Sequence, residues 1–343
     1  RRELRRAEAL TAWQAATMKC LLSLSLLPAL AVPPQTALAA LDQAAYVSLA
    51  ASVLRVEAPR LRGGYAFGSA VAIAPDKVVT NCHVTREAQQ IHVLRAGLRW
   101  PVQWQASDLT RDLCLLQVPG LEARPVTLGH AATLAIGQQV TALGYTGGLG
   151  IQNSAGEVVQ LHRHDGAQVI QSTNWFSSGA SGGGLFDDDG RLVGILTFRL
   201  RGGESHYYAA PAEWVAQMLD ETQRGSFRKV MPLDSQPLPY WQAGPSAQPR
   251  FLRAAVLVQN DRWSDLEALA SEWSRADPGD AEAWYLLGTA LARQDRLPEA
   301  RLALECSLSL EPARAAARER LADVAKRGAA ATPVPKPCPT DRP

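Results

Sequence analysis

The stretch Gly179-Ala180-Ser181-Gly182-Gly183, which continues as Gly184-Leu185-Phe186-Asp187, decides how the rest of the chain is interpreted. A serine hydroxyl is a weak nucleophile that needs an adjacent base, and its attack on a carbonyl creates an oxyanion that needs fixed donors. Glycines on both sides of Ser181 allow a sharp turn, so that the backbone amides of Gly179 and Ser181 can point at one spot. Taken by itself, the stretch is equally compatible with a glycine-rich turn between two strands.

Two further polar residues stand at strand edges upstream of this stretch. His83 closely follows the apolar run Lys77-Val78-Val79-Thr80, and Asp112 opens the run Leu113-Cys114-Leu115-Leu116. The chain order His, Asp, Ser is that of chymotrypsin, whereas subtilisin and the α/β-hydrolases use other orders. Asp108 is an alternative to Asp112, but it precedes the apolar strand instead of opening it. The sequence therefore predicts a catalytic triad of His83, Asp112 and Ser181, with the amides of Gly179 and Ser181 as the oxyanion hole.

The composition is that of a globular protein, and its charge is nearly balanced. Of the 343 residues, 47% are apolar and 20% are charged, which is enough apolar material for a buried core. The 35 basic and 33 acidic residues give a formal net charge of +2. The sequence thus has no large excess of positive charge that would attract a polyanion, so we expect no nucleic-acid partner.

The middle of the chain, from about residue 45 to residue 215, is predicted to be all-β. Short apolar runs alternate there with Gly, Pro and Asp, a density typical of a β-sandwich or a pair of barrels. Only the two ends, near residues 41–54 and 211–223, have a helical pattern. Residues 225–249 contain five prolines, which fix φ and remove donors, and they are predicted to be a linker with neither helix nor strand ladder.

The N-terminal residues have the pattern of a secretory signal peptide. Lys19 precedes a short apolar run, and Ala37-Leu38-Ala39 provides a small-x-small cleavage site. A membrane anchor is the alternative, but the apolar run is interrupted by Pro28 and falls short of the ~20 residues that a spanning helix needs. Met18 is a better start than Arg1, so residues 1–17 are not expected to be translated. We predict that residues 1–39 are a signal region, that the mature protein is periplasmic or secreted, and that it has no stable membrane insertion.

After the linker the periodicity becomes helical. Trp284, Leu287, Gly288, Ala300 and Pro312 match the tetratricopeptide pattern, and Pro278 lies one 34-residue repeat before Pro312. Residues 250–327 are therefore predicted to hold two repeats and a capping helix. Repeat arrays usually need three or more units for stability. We therefore expect this region to dock on the preceding domain or on an exported protein partner, and a self-contained helical spacer is the alternative. Residues 328–343, rich in proline, are predicted to be disordered.

Several motifs, taken together, resemble those of a known protease family. They are Gly68-Ser69-Ala70, Thr80-Asn81-x-His83-Val84, Arg111-Asp112-Leu113, Gly179-x-Ser181-Gly182-Gly183 and the closing Tyr208-Ala209-Ala210-Pro211. Between about residues 45 and 220 the chain resembles the chymotrypsin-like serine proteases, and most of all their HtrA/Deg branch. The resemblance implies a protease domain over residues 40–224, built of two six-stranded barrels with the active site in the cleft between them. The chain departs from the branch in having helical repeats where a PDZ-like domain usually follows.

The same resemblance implies a pocket for the residue before the cleaved bond. It places Trp175 near the floor of this pocket and Thr197 and Phe198 in one wall. Because no acid stands at the position of Trp175, a preference for Arg or Lys is not expected, and small or medium apolar side chains are expected instead.

The cysteines fit the oxidising compartment that export implies. Cys82 adjoins His83, and Cys114 lies two residues after Asp112 on the same strand face. Since a hydrogen bond between His83 and Asp112 would bring the two segments together, we predict a Cys82–Cys114 disulfide. Two buried free cysteines are the alternative. The pairing of Cys306 and Cys338 stays open.

The sequence thus predicts an exported serine endopeptidase that acts on polypeptides, with a role in protein quality control and without a metal or an organic cofactor. The alternatives are a serine esterase, and a non-catalytic scaffold that binds protein partners through its repeats. His162 and His164, two residues apart on a predicted hairpin, could face one side and bind a metal. An exposed hairpin without a ligand is the favoured interpretation.

Overall fold

Eight strands form the first of two β-sheets, and its order explains how His83 and Asp112 meet. The computed structural model describes residues 43–147, 150–200, 206–233, 237–328 and 338, so residues 1–39, the predicted signal region, lie outside the described residues. The strands are β1 (Val53–Pro59), β2 (Tyr65–Ala74), β3 (Lys77–Asn81), β4 (His92–Arg95), β5 (Leu98–Pro101), β6 (Trp104–Asp108), β7 (Leu113–Gln117) and β14 (Arg228–Lys229). Their order is β14-β6-β7-β3-β2-β1-β4-β5. The apolar residues of β3 and β7 are buried on both faces, which is why these two strands read as continuous apolar runs.

A closed barrel forms the second half of the β region. Its strands are β8 (Gln139–Thr146), β9 (Gly150–His164), β10 (Ala167–Ser172), β11 (Gly184–Phe186), β12 (Leu192–Leu200) and β13 (His206–Pro211), in the order β10-β13-β12-β11-β8-β9. The prediction of six strands is therefore right for this barrel. It is wrong for the first sheet, where eight strands pair in an open order.

The extra edge strand of the first sheet comes from the predicted linker. Residues Arg228 and Lys229 pair antiparallel with Gln105 and Trp104 of β6. The prediction that the proline-rich segment forms no strand ladder is thus wrong at these two residues. Pro232 lies just beyond them, so the backbone donors and acceptors of a short edge strand remain available.

Short helices lie at both ends of the β region and between its strands. Helix α1 (Gln43–Ala50), helix α2 (Cys82–Thr85) and helix α3 (Ala212–Thr222) occur there, with one 3₁₀ turn at Ala131–Thr133. Helices α1 and α3 lie where the sequence has its two helical patterns. Within the described residues, no helix has both the length and the apolar character needed to cross a membrane.

Antiparallel helices follow the linker. They are α4 (Arg250–Gln259), α5 (Trp263–Ala276), α6 (Ala281–Arg293), α7 (Leu297–Leu310) and α8 (Ala315–Arg327). Gly288 of α6 is needed for close packing on α7, because a Cβ at this position would lie 2.6 Å from Cγ of Leu304. The predicted capping helix near residues 313–327 corresponds to α8. The assignment of these helices as tetratricopeptide repeats stays a prediction.

These helices share one apolar core with the second barrel. A single buried cluster contains Tyr208 and Trp214 of the β region together with Phe251 of α4, Leu266 of α5 and Leu286 of α6. The described residues belong to one compact unit. The helical region therefore docks on the β region, which is one of the two arrangements expected for it.

Candidate active site

His83 and Asp112 are joined by two hydrogen bonds. The backbone N–H of His83 donates to Oδ1 of Asp112 at 2.8 Å, and Nδ1 of His83 lies 2.6 Å from Oδ2. The Asp112 side chain is almost fully buried, with 1% of its surface exposed, whereas the His83 side chain is 26% exposed. The carboxylate is thus held in the protein while the far edge of the imidazole ring faces the cleft. Asp108, the alternative aspartate, instead accepts a hydrogen bond from the backbone N–H of Arg111.

The local backbone explains why an aspartate occupies position 112. Its φ is +60°, a left-handed value that Asp and Asn adopt more readily than other non-glycine residues. The carbonyl oxygen of Asp112 accepts hydrogen bonds from Nδ2 of Asn81 at 3.0 Å and from the backbone N–H of Cys82 at 3.1 Å. The unusual backbone conformation of Asp112 is therefore held by the two residues that precede His83.

A disulfide joins the same two segments. Cys82, at the start of α2, is bonded to Cys114 of β7, and Thr80 pairs with Cys114 in the ladder between β3 and β7. This register places the ends of both strands side by side and brings His83 next to Asp112. A second disulfide joins Cys306 to Cys338.

The loop that carries Ser181 is held tightly against strand β2. The backbone N–H of Ser69 donates to the carbonyl of Ser181 at 2.8 Å. The side-chain hydroxyl of Ser69 donates to the carbonyl of Gly179, also at 2.8 Å. Gly182 has a φ of +87°, and a Cβ there would lie 2.1 Å from the carbonyl oxygen of Ser69. The glycine at 182 is therefore required both by its backbone angle and by its contact with β2.

The amides predicted to form the oxyanion hole are free to bind a ligand. Gly179 has a φ of +100°. In the part of the chain that the structure describes, the N–H groups of Gly179 and Ser181 donate no hydrogen bond. The Ser181 hydroxyl points toward the carbonyl oxygen of Thr197 at 3.5 Å, a long distance for a hydrogen bond. For the predicted triad to act, the Ser181 hydroxyl has to rotate toward His83.

Ser181, His83 and Gly179 line one open cavity of about 430 Å³. Tyr65 and Phe67 of β2 line it as well, and their rings stack with centroids 5.9 Å apart. Sequence analysis missed these two residues. Their spacing of two along a strand was an available signal, because it places both side chains on one face.

Of the three residues of the predicted specificity pocket, Thr197 and Phe198 are not among the described residues that line the cavity next to Trp175. Trp175, 54% exposed, lines a cavity of about 250 Å³ next to Ala180, and none of the described residues around it is acidic. The Thr197 hydroxyl is turned inward and donates to the carbonyl of Ile195 at 2.7 Å. The Phe198 ring is buried between Tyr208 and Trp241, at centroid distances of 4.7 and 5.0 Å. The role of Trp175 stays a prediction, while Phe198 is covered by another ring.

Trp241, from the proline-rich segment, reaches Asp112 of the predicted triad. Its indole Nε1–H donates to Oδ2 of Asp112 at 3.1 Å, and its ring meets that of His83 edge-on, with centroids 5.6 Å apart. The neighbouring Tyr240 is buried, and burial together with the Asp112 carboxylate raises the pKa of its hydroxyl well above the ordinary value. Sequence analysis missed Trp241, since nothing in the local sequence links it to the triad.

The two histidines of the β9–β10 hairpin belong to the interface with the helices. His162 is buried, with Nδ1 2.9 Å from Oε1 of Glu282 in α6 and Nε2 2.9 Å from Oε1 of Gln171. Its ring stacks on Phe251 at 4.3 Å. The interpretation as an exposed hairpin is therefore wrong at His162, because the helical region covers it. Burial lowers the pKa of His164. No cluster of three or more metal-binding side chains occurs among the described residues.

Comparison with protein families places this site in a known context. Residues 68–195 match the model of the trypsin-like peptidase domain, a span that holds all three predicted triad residues. This part of the chain is similar to a trypsin-like peptidase domain. The solved structure of Rv3671c protease from M. tuberculosis, in its active form, has a TM-score of 0.51 and 22% identity to this chain, and covers 62% of this chain and all of that one. This likeness supports the fold.

Curated relatives of the peptidase domain are proteases of the HtrA type. Serine protease HTRA4 of Mus musculus is 30% identical over 177 residues, which are 48% of this chain and 36% of that protein. A probable periplasmic serine endoprotease, DegP-like, of Chlamydia pneumoniae is 27% identical over 167 residues, or 46% of this chain and 34% of that protein. The chain thus spans about a third of the length of these relatives. The resemblance to HtrA-type chymotrypsin-like proteases is confirmed for the peptidase domain.

Proposed function

We propose that the protein is a serine endopeptidase that hydrolyses peptide bonds through His83, Asp112 and Ser181. The observation that carries this proposal is the buried Asp112 carboxylate, which holds His83 through two hydrogen bonds at the cavity that Ser181 also lines. The trypsin-like peptidase model and the names of the curated relatives support the same activity.

Each group has a defined role in the proposed reaction. The Oγ of Ser181 attacks the scissile carbonyl carbon, and its proton passes to Nε2 of His83, which later gives it to the leaving amine. Asp112 fixes the imidazole tautomer and stabilises the imidazolium that forms. Water then attacks the acyl-enzyme ester, with His83 again acting as the base, and this step releases the acid and restores Ser181. The amides of Gly179 and Ser181 stabilise the oxyanion in both halves of the reaction.

The substrates in this proposal are polypeptides. The cavity in front of Ser181 is open, and the exposed rings of Tyr65 and Phe67 extend it along β2. An extended chain can lie in such a groove. We further propose export to the periplasm or outside the cell, a role in protein quality control, and recruitment of protein partners through the helical region. The signal-peptide pattern supports export, as does the word periplasmic in the names of three of the relatives.

The proposal is tested by labelling the purified protein with a fluorophosphonate probe and by following the cleavage of casein. Wild-type protein is expected to label and to cleave, and Ser181→Ala to do neither. Ser177→Ala is a matched control, because Ser177 lies in the same loop outside the cavity and is expected to label normally. A wild-type protein that neither labels nor cleaves would contradict the proposal and leave the scaffold alternative. Labelling with hydrolysis of small esters but not of proteins or peptides would indicate an esterase.

A further inference from the structure

The segment that follows the peptidase domain is fixed beside the catalytic aspartate. The backbone N–H of Leu233 donates to the carbonyl of Arg86 at 2.6 Å, and the backbone N–H of Tyr240 donates to the carbonyl of Thr110 at 3.0 Å. The carbonyl of Trp241 accepts a hydrogen bond from Nε2 of Gln248 at 3.2 Å. The backbone is thus attached to the segment before Asp112, and Trp241 is held on its C-terminal side too.

Among the described residues, the Trp241 side chain contacts Asp112, His83 and the ring of Phe198. Its N–H donates to Asp112, its edge faces the His83 ring, and its face lies parallel to the Phe198 ring, with an interplanar angle of 7°. The stacking on Phe198 fixes the plane of the indole. The direction of the N–H toward Oδ2 of Asp112 is therefore fixed as well.

We propose that Trp241 is a positioning residue of the active site, which orients the carboxylate of Asp112 toward His83. This inference rests on the proposed function. Oδ1 is already held by the backbone N–H of His83, and Oδ2 receives both the imidazole and the indole N–H. Hydrogen bonds to a carboxylate are about twice as strong as neutral ones. Two donors on Oδ2 restrict rotation of the carboxylate, and the indole edge also restricts tilting of the imidazole.

The indole N–H also changes how much negative charge faces the imidazole. A carboxylate that accepts a second hydrogen bond has part of its negative charge neutralised. It therefore stabilises the neighbouring imidazolium less than a carboxylate that accepts no second hydrogen bond. Loss of the indole N–H is therefore expected to favour the protonated histidine. The acid limb of the pH–rate profile should then move to higher pH, because only the neutral imidazole acts as the base.

Trp241→Phe separates the two contributions of the side chain. It keeps an aromatic ring next to Phe198, removes the N–H donor and shortens the ring system. We expect kcat on a short peptide substrate to fall about 10- to 100-fold, the kinetic equivalent of losing one hydrogen bond to a charged group. KM should change little, and the acid limb should shift upward. Trp241→His restores an N–H donor and is expected to recover part of kcat.

Tyr240→Phe is the matched control, because it removes a polar group from the adjacent ring. Among the described residues, the Tyr240 hydroxyl has no hydrogen-bond partner, so it donates nothing to Asp112, and its ring packs against the rings of His164, Phe198 and Trp214. We expect its kcat and pH profile to equal those of the wild type. Thermal melting of every variant identifies any loss of activity that comes from unfolding.

The outcomes distinguish this inference from the proposed function. A wild-type protein without activity would overturn both. An active wild type together with a Trp241→Phe variant of equal kcat and unchanged pH profile would overturn only the role of Trp241. If Trp241→Phe melts at a lower temperature, the Trp241→His variant decides, since a folded His variant that recovers no kcat overturns the inference.

Discussion

Gly182 shows how strictly a single residue can be determined by its surroundings. It combines a φ of +87° with backbone so close that an added Cβ would overlap the Ser69 carbonyl. Gly137 has nearly the same angle, +84°, but nothing lies within 4 Å of its Cβ position. Comparing substitutions at Gly182 and Gly137 therefore separates the free-energy cost of the left-handed backbone angle from that of the steric contact with Ser69.

Gly182→Ala is expected to lower the free energy of unfolding by more than about 4 kcal/mol, a size reserved for severe steric or polar disruption. Gly137→Ala should cost only about 1–2 kcal/mol, the price of a left-handed alanine. Urea unfolding of both variants measures the difference. Equal losses in the two would show that the loop moves away from β2 without cost.

At the scale of single residues, the sequence indicated His83, Asp112 and Ser181 as a triad, which stays a prediction, and it missed Trp241 for a physical reason. Ser181 needs glycines around it, and Asp112 and His83 stand at the edges of buried strands, so each leaves a local trace in the sequence. The hydrogen bond from Trp241 to Asp112 spans 129 positions and makes no demand on the residues next to Trp241. A contact of this kind becomes visible only when the chain is folded.

The disulfide between α2 and β7 acts at the scale of secondary-structure elements. Cys82 and Cys114 are 32 positions apart, as are Cys306 and Cys338. A cross-link of this span stabilises by about 3–4 kcal/mol through the entropy of the unfolded chain. The two disulfides thus close loops of equal length, but only the first lies next to His83 and Asp112.

Replacing Cys82 and Cys114 by alanine is expected to lower both the melting temperature and kcat, because α2 carries His83 and Asp112 directly precedes β7. Replacing Cys306 and Cys338 should lower the melting temperature and leave kcat unchanged. Peptide hydrolysis and calorimetry on the two double variants test this expectation. An unchanged kcat in the first variant would mean that the ladder between β3 and β7 positions the pair unaided.

Strand β14 illustrates which elements a sequence pattern does not predict. Two residues, Arg228 and Lys229, are too few to show an alternation of apolar and polar side chains, and both are exposed. Their pairing is determined by the free edge of β6 rather than by their own composition. The long buried strands β3 and β7, in contrast, were predictable from their apolar runs.

At the scale of the whole molecule, the β region and the helices meet through buried polar groups. Asp280 begins α6 in this interface, where its side chain accepts a hydrogen bond from the backbone N–H of Glu282 at 3.0 Å. Burial first, and then the nearby charge of Glu282, raises the pKa of Asp280 from 3.8 to about 6. Asp277 raises this pKa as well, whereas Arg163 lowers it.

This pKa predicts how stability depends on pH. A carboxyl group whose pKa is higher in the folded state favours folding below about pH 4, and this contribution is lost as pH rises to about 6. Asp280→Asn keeps the helix cap and removes the buried charge. The free energy of unfolding of this variant should equal that of the wild type near pH 4. At pH 7 it should be higher than that of the wild type, by on the order of 3 kcal/mol.

Urea unfolding at both pH values measures this effect. Asp277→Asn, at the half-exposed ion pair with Arg163, is the control and should change stability by no more than about 1 kcal/mol. A stability difference between Asp280→Asn and wild type that is the same at pH 4 and pH 7 would contradict the predicted titration.

The interface also marks where prediction from sequence stopped at this scale. The resemblance to a protease family and the change from strand to helix periodicity predicted two structured regions. The position of His162, between Glu282 and Gln171, depends on partners from both regions. A hairpin sequence rich in polar residues is the same whether water or a helix covers it.

The passage of the proline-rich segment across the catalytic centre has a consequence for the order of events during biosynthesis. A polypeptide is made from its N-terminus, so His83, Asp112 and Ser181 all leave the ribosome before Trp241 does. If Trp241 has the proposed role, a growing chain that ends before Trp241 would contain all three triad residues but would have a lower kcat than the finished protein. The enzyme would become fully active only when synthesis had passed the peptidase domain, and unfinished chains would be poor proteases.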